Sequence, residues 1–359
     1  MRKMCREVSQ KDYFVGMTCV CTIRKEHNWM KRTWRVLFLL LLAAVFTGCQ
    51  VKSDYSQSGI YFDTLISIHV YDTADKTVVN DCLILCEEYE KKLSKNIDNS
   101  DIYRINHAKG QWVQVSEETA ALITQALNYS ELSQGAFDIT IASVSELWHV
   151  TDNDGIVPKA QEIDRALKLV DYHMVQVEND KVRLSNPQAE IDLGGIAKGY
   201  IGDKLKEFLL KRGITSAKID LGGNIVVIGS KKDGSAWNIG IQEPFAEAGQ
   251  VIGSVKLQDK TMVTSGIYQR YFKLEDMIYH HIMDPVTGKP SDSDVSSVTI
   301  IGTSSTEADA LSTCCLLMGS EQGVRLIEEM ENVEAVFITR DGEVLASSGI
   351  DVSLLYGEQ

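Results

Sequence analysis

The chain has 359 residues and a formal net charge of −14, from 36 basic and 50 acidic side chains. Residues 1–48 hold nine of the basic and three of the acidic residues, so the remainder, from Cys49 onward, carries a net charge of −20. So acidic a body repels nucleic acid and anionic lipid, which excludes binding of either through a basic patch. The residues from Cys49 onward, about 310 in number, suffice for one large domain or two small ones.

The N-terminal region has the pattern of an export signal. Three basic residues precede the apolar run VLFLLLLAAVF at 36–46, and a Gly-Cys step follows it. Eleven apolar residues cover only about half of a bilayer core, so the run predicts a secretion signal at 30–48 rather than a membrane helix. Cleavage before Cys49 would leave this thiol for lipid attachment, as in bacterial lipoproteins, whereas a stray buried cysteine is the alternative. We therefore expect an exported chain, anchored by lipid to the periplasmic or cell-surface side of a bacterial membrane.

The residues on either side of this signal predict little structure. Residues 1–29 carry mixed charge, three cysteines and no periodic pattern, so we expect translation to start at Met30. Residues 49–58 are polar and predict a tether between the lipid and a folded domain at 59–352.

Strand and helix patterns begin at residue 60. The segment IYFDTLISIHVYD at 60–72 alternates and predicts a strand, and helical spacing follows over 75–95. A Ser116 cap followed by two acids predicts a helix that ends near Gly135. Further helices are predicted from 196 to 211, over about 307–319 and directly after it, with strands in AKIDLGGNIVVIG, WNIGIQ, GSVKLQ, YQRYFKL, MIYHHIM and SSVTIIG and a final hairpin around Asp341-Gly342.

The order of these elements predicts the fold class. Strands and helices are mixed but do not alternate strictly. This order favours an α+β fold with mixed, largely antiparallel sheets and packed helices over a doubly wound parallel fold. Of the cysteines after Cys49, neither the pair at 82 and 86 nor the pair at 314 and 315 has zinc-ribbon spacing, and no disulfide framework is predicted.

The strongest local motif is IDLGGIAKGYIGDKL, which starts at Ile191. A strand ends at Asp192, two glycines allow a tight turn, and a helix begins. Helix N-terminal amides beside Lys198 can bind an anion such as phosphate, although a tight junction with a surface lysine is an equally good interpretation. DLGG occurs again at 220–223, but its flanking residues differ and no repeat is indicated.

Two further motifs carry oxygen and aromatic side chains. TEADALSTCC places Asp309 and Thr313 four residues apart on a helix, so that both oxygens face the same way. Such hard donors suit magnesium rather than zinc, although a solvated helix face is the commoner outcome of this spacing. GAFDITIASVSELW offers Phe137 to pack on a flat ligand and Asp138 to accept a ring or ribose proton. A core phenylalanine beside a turn aspartate is the alternative.

The adjacent histidines in HHIMDPVTGKP, at 280–290, raise the question of a metal site. In an alternating strand His280 and His281 face opposite sides, so they cannot both bind one ion. At most one of them lies in a cleft. Asp284-Pro285 stops the strand and Thr287-Gly288 turns the chain.

The motifs GAFD, DLGGIAKGY, SGIYQR, HHIMDPVTG and EADALST, in this order and after a lipoprotein signal, resemble the ApbE family of FAD:protein FMN transferases. They extend over nearly the whole exported chain. The resemblance implies an ApbE-like, T-fold-like arrangement that forms a single catalytic unit. It also implies transfer of FMN from FAD to a Ser or Thr hydroxyl of an acceptor protein with release of AMP, in a magnesium-dependent reaction. FMN-acceptor domains of membrane redox subunits are the partners that it suggests.

The resemblance assigns roles to residues of this chain. His281 is the expected catalytic base, with a pKa near neutral. Magnesium is expected on the backbone oxygen of Gly195 and the side chains of Asp309 and Thr313. FAD is expected against Phe62, Asn96, Ala136, Phe137, Asp138, Asp192, Lys198 and the backbone around Met283.

Three positions depart from the family's pattern. Phe62-Asp63-Thr64 stands where many relatives have Met-Gly-Thr, Asn96 where some have an aromatic residue, and Ser312 where some have an extra carboxylate. These departures bear on whether FMN passes to a protein or to water. The alternatives are therefore a magnesium-dependent FAD pyrophosphatase, which gives FMN and AMP, and a flavin-binding lipoprotein without chemistry.

Overall fold

The computed structural model describes residues 53–150, 155–247 and 249–351, which belong to one compact unit. The predicted start at Met30, the signal at 30–48 and the lipid-attachment residue Cys49 lie outside the described residues. Within those residues, no helix is both long and apolar enough to cross a membrane.

The centre of the fold is an eight-stranded sheet in which every neighbouring pair is antiparallel. Its strand order is β1-β2-β6-β7-β10-β13-β14-β15. The strands of this sheet are β1 Ser53–Tyr61, β2 Thr64–Thr73, β6 Ala217–Leu221, β7 Asn224–Ile228, β10 Thr261–Gly266, β13 Val295–Gly302, β14 Glu334–Thr339 and β15 Val344–Ala346.

Three small sheets surround the central one and are also antiparallel. They are β3-β5-β4, from β3 Val113–Gln114, β4 Val175–Glu178 and β5 Lys181–Leu184; β8-β9, from β8 Trp237–Gln242 and β9 Val251–Leu257; and β11-β12, from β11 Tyr271–Leu274 and β12 Met277–His280. This architecture confirms the predicted α+β class with largely antiparallel sheets.

The described helices differ widely in length. They are α1 Val78–Leu93, α2 Asp101–Asn106, α3 Glu117–Leu132, α4 Ala142–Trp148, α5 Ala160–Leu167, α6 Ala197–Lys211, α7 Ser305–Met318 and α8 Ser320–Glu328, with short 3-10 turns at Ile139–Ile141 and Tyr172–Met174. Ser116 caps α3, as predicted, by accepting a hydrogen bond from the amide of Thr119 at 3.2 Å. A hydroxyl in this position satisfies an amide that has no partner within the helix.

The central sheet has different partners on its two faces. In β7, Val226 and Ile228 pack in one cluster with Ile201 and Leu205 of α6. The intervening Ile225 and Val227 belong to a second cluster that contains Trp237 of the β8-β9 hairpin. Because side chains alternate across a strand, one face of the sheet is covered by helices and the other by this hairpin.

The start of the folded domain corrects two predictions. Residues 53–58, predicted as tether, form most of β1, and the predicted strand at 60–72 is interrupted by a two-residue turn at Phe62-Asp63. The φ angles of these two residues are 51° and 54°, as the mirror-image hairpin turn requires. Such turns favour Asn-Gly or Asp-Gly, so Phe-Asp gave no turn signal. The polar composition of β1 reflects its position at the edge of the sheet, where most of its side chains are exposed or only half-buried.

The motif SGIYQR begins inside the central sheet. Its Ser265 and Gly266 complete β10, an interior strand that pairs with β7 and β13. The chain then turns and continues into β11. This strand brings the Ser265 hydroxyl beneath α7.

Candidate active site

Helices α6 and α7 touch at Gly199. The amide of Gly199 donates a hydrogen bond to Oδ2 of Asp309 at 2.8 Å. A Cβ atom at position 199 would lie 2.1 Å from the carbonyl oxygen of Ser305 and 2.6 Å from Cβ of Asp309. Only glycine allows this approach, so the third glycine of the IDLGGIAKGY motif sets the spacing of the two helices.

The carboxylate of Asp203 fixes the start of α7 against α6. It accepts hydrogen bonds from the amides of Ser305 and Thr306 at 2.8 and 2.9 Å, and from the hydroxyls of Ser304 and Thr306 at 2.9 and 2.7 Å. Because these amides have no partners within α7, the capping group comes from the neighbouring helix. Two contacts from α6, at Gly199 and at Asp203, therefore determine where Asp309 of α7 lies against α6.

The turn that precedes α6 is held by Asp192. Its Oδ1 accepts a hydrogen bond from the amide of Gly194 at 2.7 Å, and its own amide donates to the carbonyl of Ile139 at 2.8 Å. Nζ of Lys198, the second residue of α6, lies 3.7 Å from Oδ1 of Asp309. The ammonium is half-buried and faces the start of the helix, where an anion would also meet the helix amides.

Three oxygen-bearing residues predicted as magnesium ligands come together here. A Cβ atom at Gly195 would lie 3.6 Å from Oγ1 of Thr313, and Asp309 is one helical turn from Thr313. Asp309 is 2% exposed, and the ammonium of Lys198 beside it is too distant for a close hydrogen bond. A buried carboxylate one helical turn from a hydroxyl, with the backbone of Gly195 beside that hydroxyl, is a set of hard oxygen donors that fits a hard cation.

Sequence reasoning missed Ser265 as a support for this set. Its hydroxyl lies 2.7 Å from Oγ of Ser312 and 3.4 Å from Oγ1 of Thr313. Across the described ranges no cluster of three or more His, Cys, Asp and Glu side chains could hold a metal. A cation at Asp309 would therefore be bound by this one carboxylate, by neutral protein oxygens and by oxygens of a bound substrate.

The GAFD turn forms one wall beside Gly195. A Cβ atom at Gly195 would lie 2.9 Å from Cε2 of Phe137, so the absent side chain leaves room for this ring. Phe137 is buried in the main core cluster, whereas Ala136 is half-buried. The buried ring of Phe137 thus packs against the turn at Gly195 from the core side.

Asp138 is placed differently from its expected role as a ligand contact. Its Oδ1 accepts from the amide and the hydroxyl of Thr140 at 2.7 and 2.6 Å, and its Oδ2 accepts from the amide of Tyr172 at 2.9 Å. Burial raises the pKa of this carboxyl, although these hydrogen bonds oppose the shift. The structure gives Asp138 a supporting role in which it ties the Phe137 turn to the segment around Tyr172.

The two histidines have separate environments. His280, 1% exposed, contacts the carbonyl oxygen of Ser291 at 3.0 Å through Nε2. His281 follows the end of β12, is half-buried, and has Nδ1 3.2 Å from the carbonyl oxygen of Arg270. Because a carbonyl only accepts hydrogen bonds, Nδ1 carries the proton and Nε2 of His281 remains a potential acceptor.

The near-neutral pKa expected for His281 is wrong for this structure. Burial lowers the pKa of His281 to about 3, and the positive charges of Arg270 and Lys198 contribute to the shift. Burial likewise lowers the pKa of His280 to about 4. Both rings are neutral at pH 7. The effect of Lys198 also shows that His281 and the start of α6 share one electrostatic environment.

Beyond His281 the chain makes a tight turn. Met283 is buried and forms an isolated bridge with Pro290. The carboxylate of Asp284 accepts hydrogen bonds from the amide of Val286 at 2.8 Å and from the hydroxyl of Thr287 at 2.9 Å. The Asp-Pro step therefore holds the loop in shape, and the loop in turn supports His281.

The predicted flavin contacts Phe62 and Asn96 lie on other segments. The amide of Phe62 donates to Oε1 of Glu90 at 2.6 Å, and Arg270 donates to the carbonyl of Asp63 at 3.4 Å, which links the β1-β2 turn to the His281 segment. Asn96 is exposed. No described contact joins Asn96 to the α6-α7 site.

Lys95, next to Asn96, was not singled out by the sequence. Its ammonium lies 3.4 Å from Oδ2 of Asp192 and 2.9 Å from Oε1 of Glu146. Burial lowers the pKa of Lys95, but these two carboxylates outweigh it and the pKa is raised. A lysine in a polar loop gives no pattern that could have identified this link.

Residues 62–337 match the ApbE family. The chain belongs to the ApbE family. Two curated ApbE relatives are named FAD:protein FMN transferase. The one from Treponema pallidum is 34% identical over 88% of this chain and 94% of its own length. The one from Klebsiella pneumoniae is 34% identical over 82% of this chain and 92% of its own length.

Solved ApbE structures have the same fold. The ApbE protein from Thermotoga maritima superposes with a TM-score of 0.77 at 32% identity, over 85% of this chain and all of its own. The flavin transferase ApbE from Vibrio cholerae gives a TM-score of 0.75 at 28% identity, over 83% of this chain and 98% of its own. The resemblance and fold class drawn from the sequence are thereby confirmed.

The contact between α6 and α7 can be tested with Gly199→Ala. The added Cβ atom meets backbone as well as side chain, so the helices must separate, and we expect the free energy of unfolding to fall by at least about 1–3 kcal/mol. Urea denaturation measures this change. Gly302→Ala is the matched control, because its nearest neighbour would be 3.9 Å from the new atom. Equal stabilities of the two variants would contradict a tight helix contact at Gly199.

Proposed function

We propose that this chain is an FAD:protein FMN transferase that moves FMN from FAD to a Ser or Thr hydroxyl of an acceptor protein and releases AMP. The observation that carries the proposal is the grouping of Lys198, which lies 3.7 Å from the buried carboxylate of Asp309, with the neutral imidazole of His281, whose pKa the Lys198 charge helps to lower. A base beside an anion site and an oxygen-donor set suits attack of a hydroxyl on a phosphoric anhydride. The names of the curated relatives support the same reaction.

His281 acts as the general base. Its Nε2 accepts the proton of the acceptor hydroxyl as the hydroxyl oxygen forms a bond to the FMN phosphorus. The bond from this phosphorus to the bridging oxygen breaks, and AMP leaves with that oxygen. The Arg270 carbonyl keeps the ring in the required tautomer. A bound diphosphate would place negative charge near the imidazole and raise its pKa from the low value of the free enzyme.

Lys198 and the first amides of α6 bind and orient the diphosphate. They present positive charge where the leaving group develops negative charge, and they are already in place before reaction. Lys198 is held at this position between the Gly194 carbonyl, 3.4 Å away, and Asp309. Phosphoryl transfer needs mainly positioning and electrostatic stabilisation from a protein, which these groups supply.

Magnesium fits the oxygen set at the start of α6. The carbonyl of Gly195, the carboxylate of Asp309 and the hydroxyl of Thr313 would hold it. When bound, magnesium withdraws charge from the diphosphate and so assists the departure of AMP. With only one protein carboxylate in the set, the phosphates would be expected to supply further ligands, as is usual for this ion.

The location and partners of the enzyme form part of the proposal. The signal pattern at 30–48 and Cys49 support export and lipid anchoring to a bacterial membrane. An anchored transferase would meet FMN-acceptor domains of membrane redox subunits. The net charge of −20 beyond residue 48 favours acceptors with basic surfaces.

The transferase is tested with residues 50–359, FAD, magnesium and a flavin-acceptor domain that carries a candidate Thr. We expect the intact mass of the acceptor to rise by one FMN, with an equal amount of AMP released. Free FMN and AMP beside an unmodified acceptor would instead indicate FAD pyrophosphatase activity. This activity is the second candidate because Asn96 is exposed and offers no aromatic ring to cover a flavin.

The role of His281 is tested with His281→Ala, and His280→Asn is the matched control. The His281→Ala variant should bind FAD but lose FMN transfer by about a hundredfold to ten thousandfold, the usual contribution of a general base. His280→Asn removes the neighbouring imidazole, which contacts only Ser291 and Ile282 among the described hydrogen bonds, and should retain transfer. Transfer at the normal rate by His281→Ala would show that another group is the base.

The lowered pKa of His281 predicts the pH profile. A group whose pKa is about 3 stays neutral from pH 8 to 5.5, so kcat/KM for FAD, which reports the free enzyme, should not fall through loss of the base in this range. An imidazole with the ordinary pKa of about 6.5 would lose about tenfold of its neutral form by pH 5.5. Initial rates of acceptor flavinylation at saturating magnesium measure the profile. A tenfold fall with a midpoint near pH 6.5 would contradict the buried, neutral base.

A further inference from the structure

The second DLGG sequence ends at a buried amide that has no role in the site described so far. Asn224 follows Gly223 and begins β7, and it is 2% exposed. Among the described residues, nothing accepts a hydrogen bond from its Nδ2 atom. Buried polar groups in folded proteins are nearly always paired, so a donor left open at this depth calls for a partner from outside the chain, either a ligand or a bound water.

The fold contains a contrasting asparagine. Asn106 is half-buried, and both ends of its amide are paired: Nδ2 donates to the carbonyl of Ile191 at 3.0 Å and Oδ1 accepts from the amide of Ile191 at 2.8 Å. Asn106 thereby holds the segment before Asp192, where the sequence predicted a strand but the structure has an irregular connection between β5 and α6. Asn224 has no such backbone partner for its amino group, so a purely structural role does not explain it.

Strand alternation places Asn224 on the helix-covered face of the sheet. Val226 and Ile228, two and four residues further along β7, pack with the residues of α6. Asn224 has the same parity and therefore points to the same side. On that side, a Cβ atom at Gly202 of α6 would lie 3.0 Å from Cγ2 of Val226.

The direction of α6 shows which part of this helix lies over Asn224. The helix leads through a short turn into β6, which pairs antiparallel with β7, so α6 and β7 run in the same direction over the sheet. Asn224 precedes Val226 on β7 just as Lys198 precedes Gly202 on α6. The amide therefore lies beneath the first turn of α6, where Lys198 and Asp309 meet.

The neighbouring strand agrees with this placement. Asn224 pairs with Val263 of β10, and Ser265, two residues further up the same face, contacts Ser312 and Thr313 of α7. Asn224 thus belongs to the floor of the α6-α7 site. The turn at Gly222-Gly223, in which both glycines have positive φ angles of 66° and 102°, connects β6 to β7 and places Asn224 at the start of β7.

We propose that Nδ2 of Asn224 donates a hydrogen bond to a diphosphate oxygen of bound FAD. This inference rests on the proposed function, because it requires FAD in this site. A donor at the floor complements the other groups around an anion: Lys198 contributes charge, the α6 amides contribute the helix dipole, and Asn224 contributes a neutral hydrogen bond. An oxygen of a metal-bound water is the same kind of acceptor, and the test separates the two.

The test compares Asn224→Leu, which removes the unpaired amide, with Asn106→Leu, which removes a paired one. The two substitutions change the side chain in the same way. The dissociation constant for FAD, from quenching of flavin fluorescence, should rise about tenfold or more in Asn224→Leu, since a donor to a charged group is lost. The stability of the ligand-free variant in urea should equal or exceed that of the wild type, because an unpaired buried donor has been removed. Asn106→Leu should instead lower the ligand-free stability, because its two hydrogen bonds to the backbone of Ile191 are lost.

Each outcome decides the proposal. Unchanged FAD affinity in Asn224→Leu would overturn it, and so would a loss of ligand-free stability like that of Asn106→Leu, which would show a structural role. A loss of affinity that occurs only with magnesium would assign the amide to a metal-bound water instead. Asn224→Ala replaces the leucine variant if the latter does not fold. FAD binding is measured without an acceptor, so a wild type that binds FAD but transfers no FMN would refute the proposed function and leave this result standing.

Discussion

The site depends on the direct contact of two helices at Gly199. Without a side chain there, the amide of Gly199 reaches the carboxylate of Asp309, and α7 lies against α6 with backbone almost touching backbone. Asp203 fixes the same pair of helices at the start of α7. The proposed anion site at the start of α6 and the proposed metal ligands of α7 come from separate segments, so this contact determines their relative position.

The charges around the site explain how an acidic protein handles an anionic substrate. The overall charge is −14, but Lys198 and the first amides of α6 are positive where a diphosphate would lie, and Arg270 is positive beside His281. The same positive charges, together with burial, keep the imidazole neutral. In the proposed reaction, substrate binding and base catalysis would be coupled, because the bound diphosphate would also raise the pKa of His281.

The sequence predicted the parts of the site that have local patterns. Helix spacing placed Asp309 and Thr313 on one face, and the glycines before α6 predicted its tight start. It missed what depends on tertiary neighbours. The Phe62-Asp63 turn lacks the usual turn residues, β1 has the polar composition of a tether, and the low pKa of His281 arises from burial that a strand pattern does not show. The sequence pattern around Asn224 is that of an ordinary strand, and it does not show that Nδ2 of Asn224 is buried with no acceptor among the residues that the structure describes.

The most direct test of the account is a crystal structure with FAD and Mn²⁺ in place of magnesium, with the metal located by its anomalous signal. The account predicts one metal peak bound by the Gly195 carbonyl, Asp309 and Thr313. The diphosphate of FAD should lie between this metal, Lys198 and the start of α6, and Nε2 of His281 should face the FMN phosphorus. A metal on other residues, or a diphosphate remote from the first turn of α6, would contradict it.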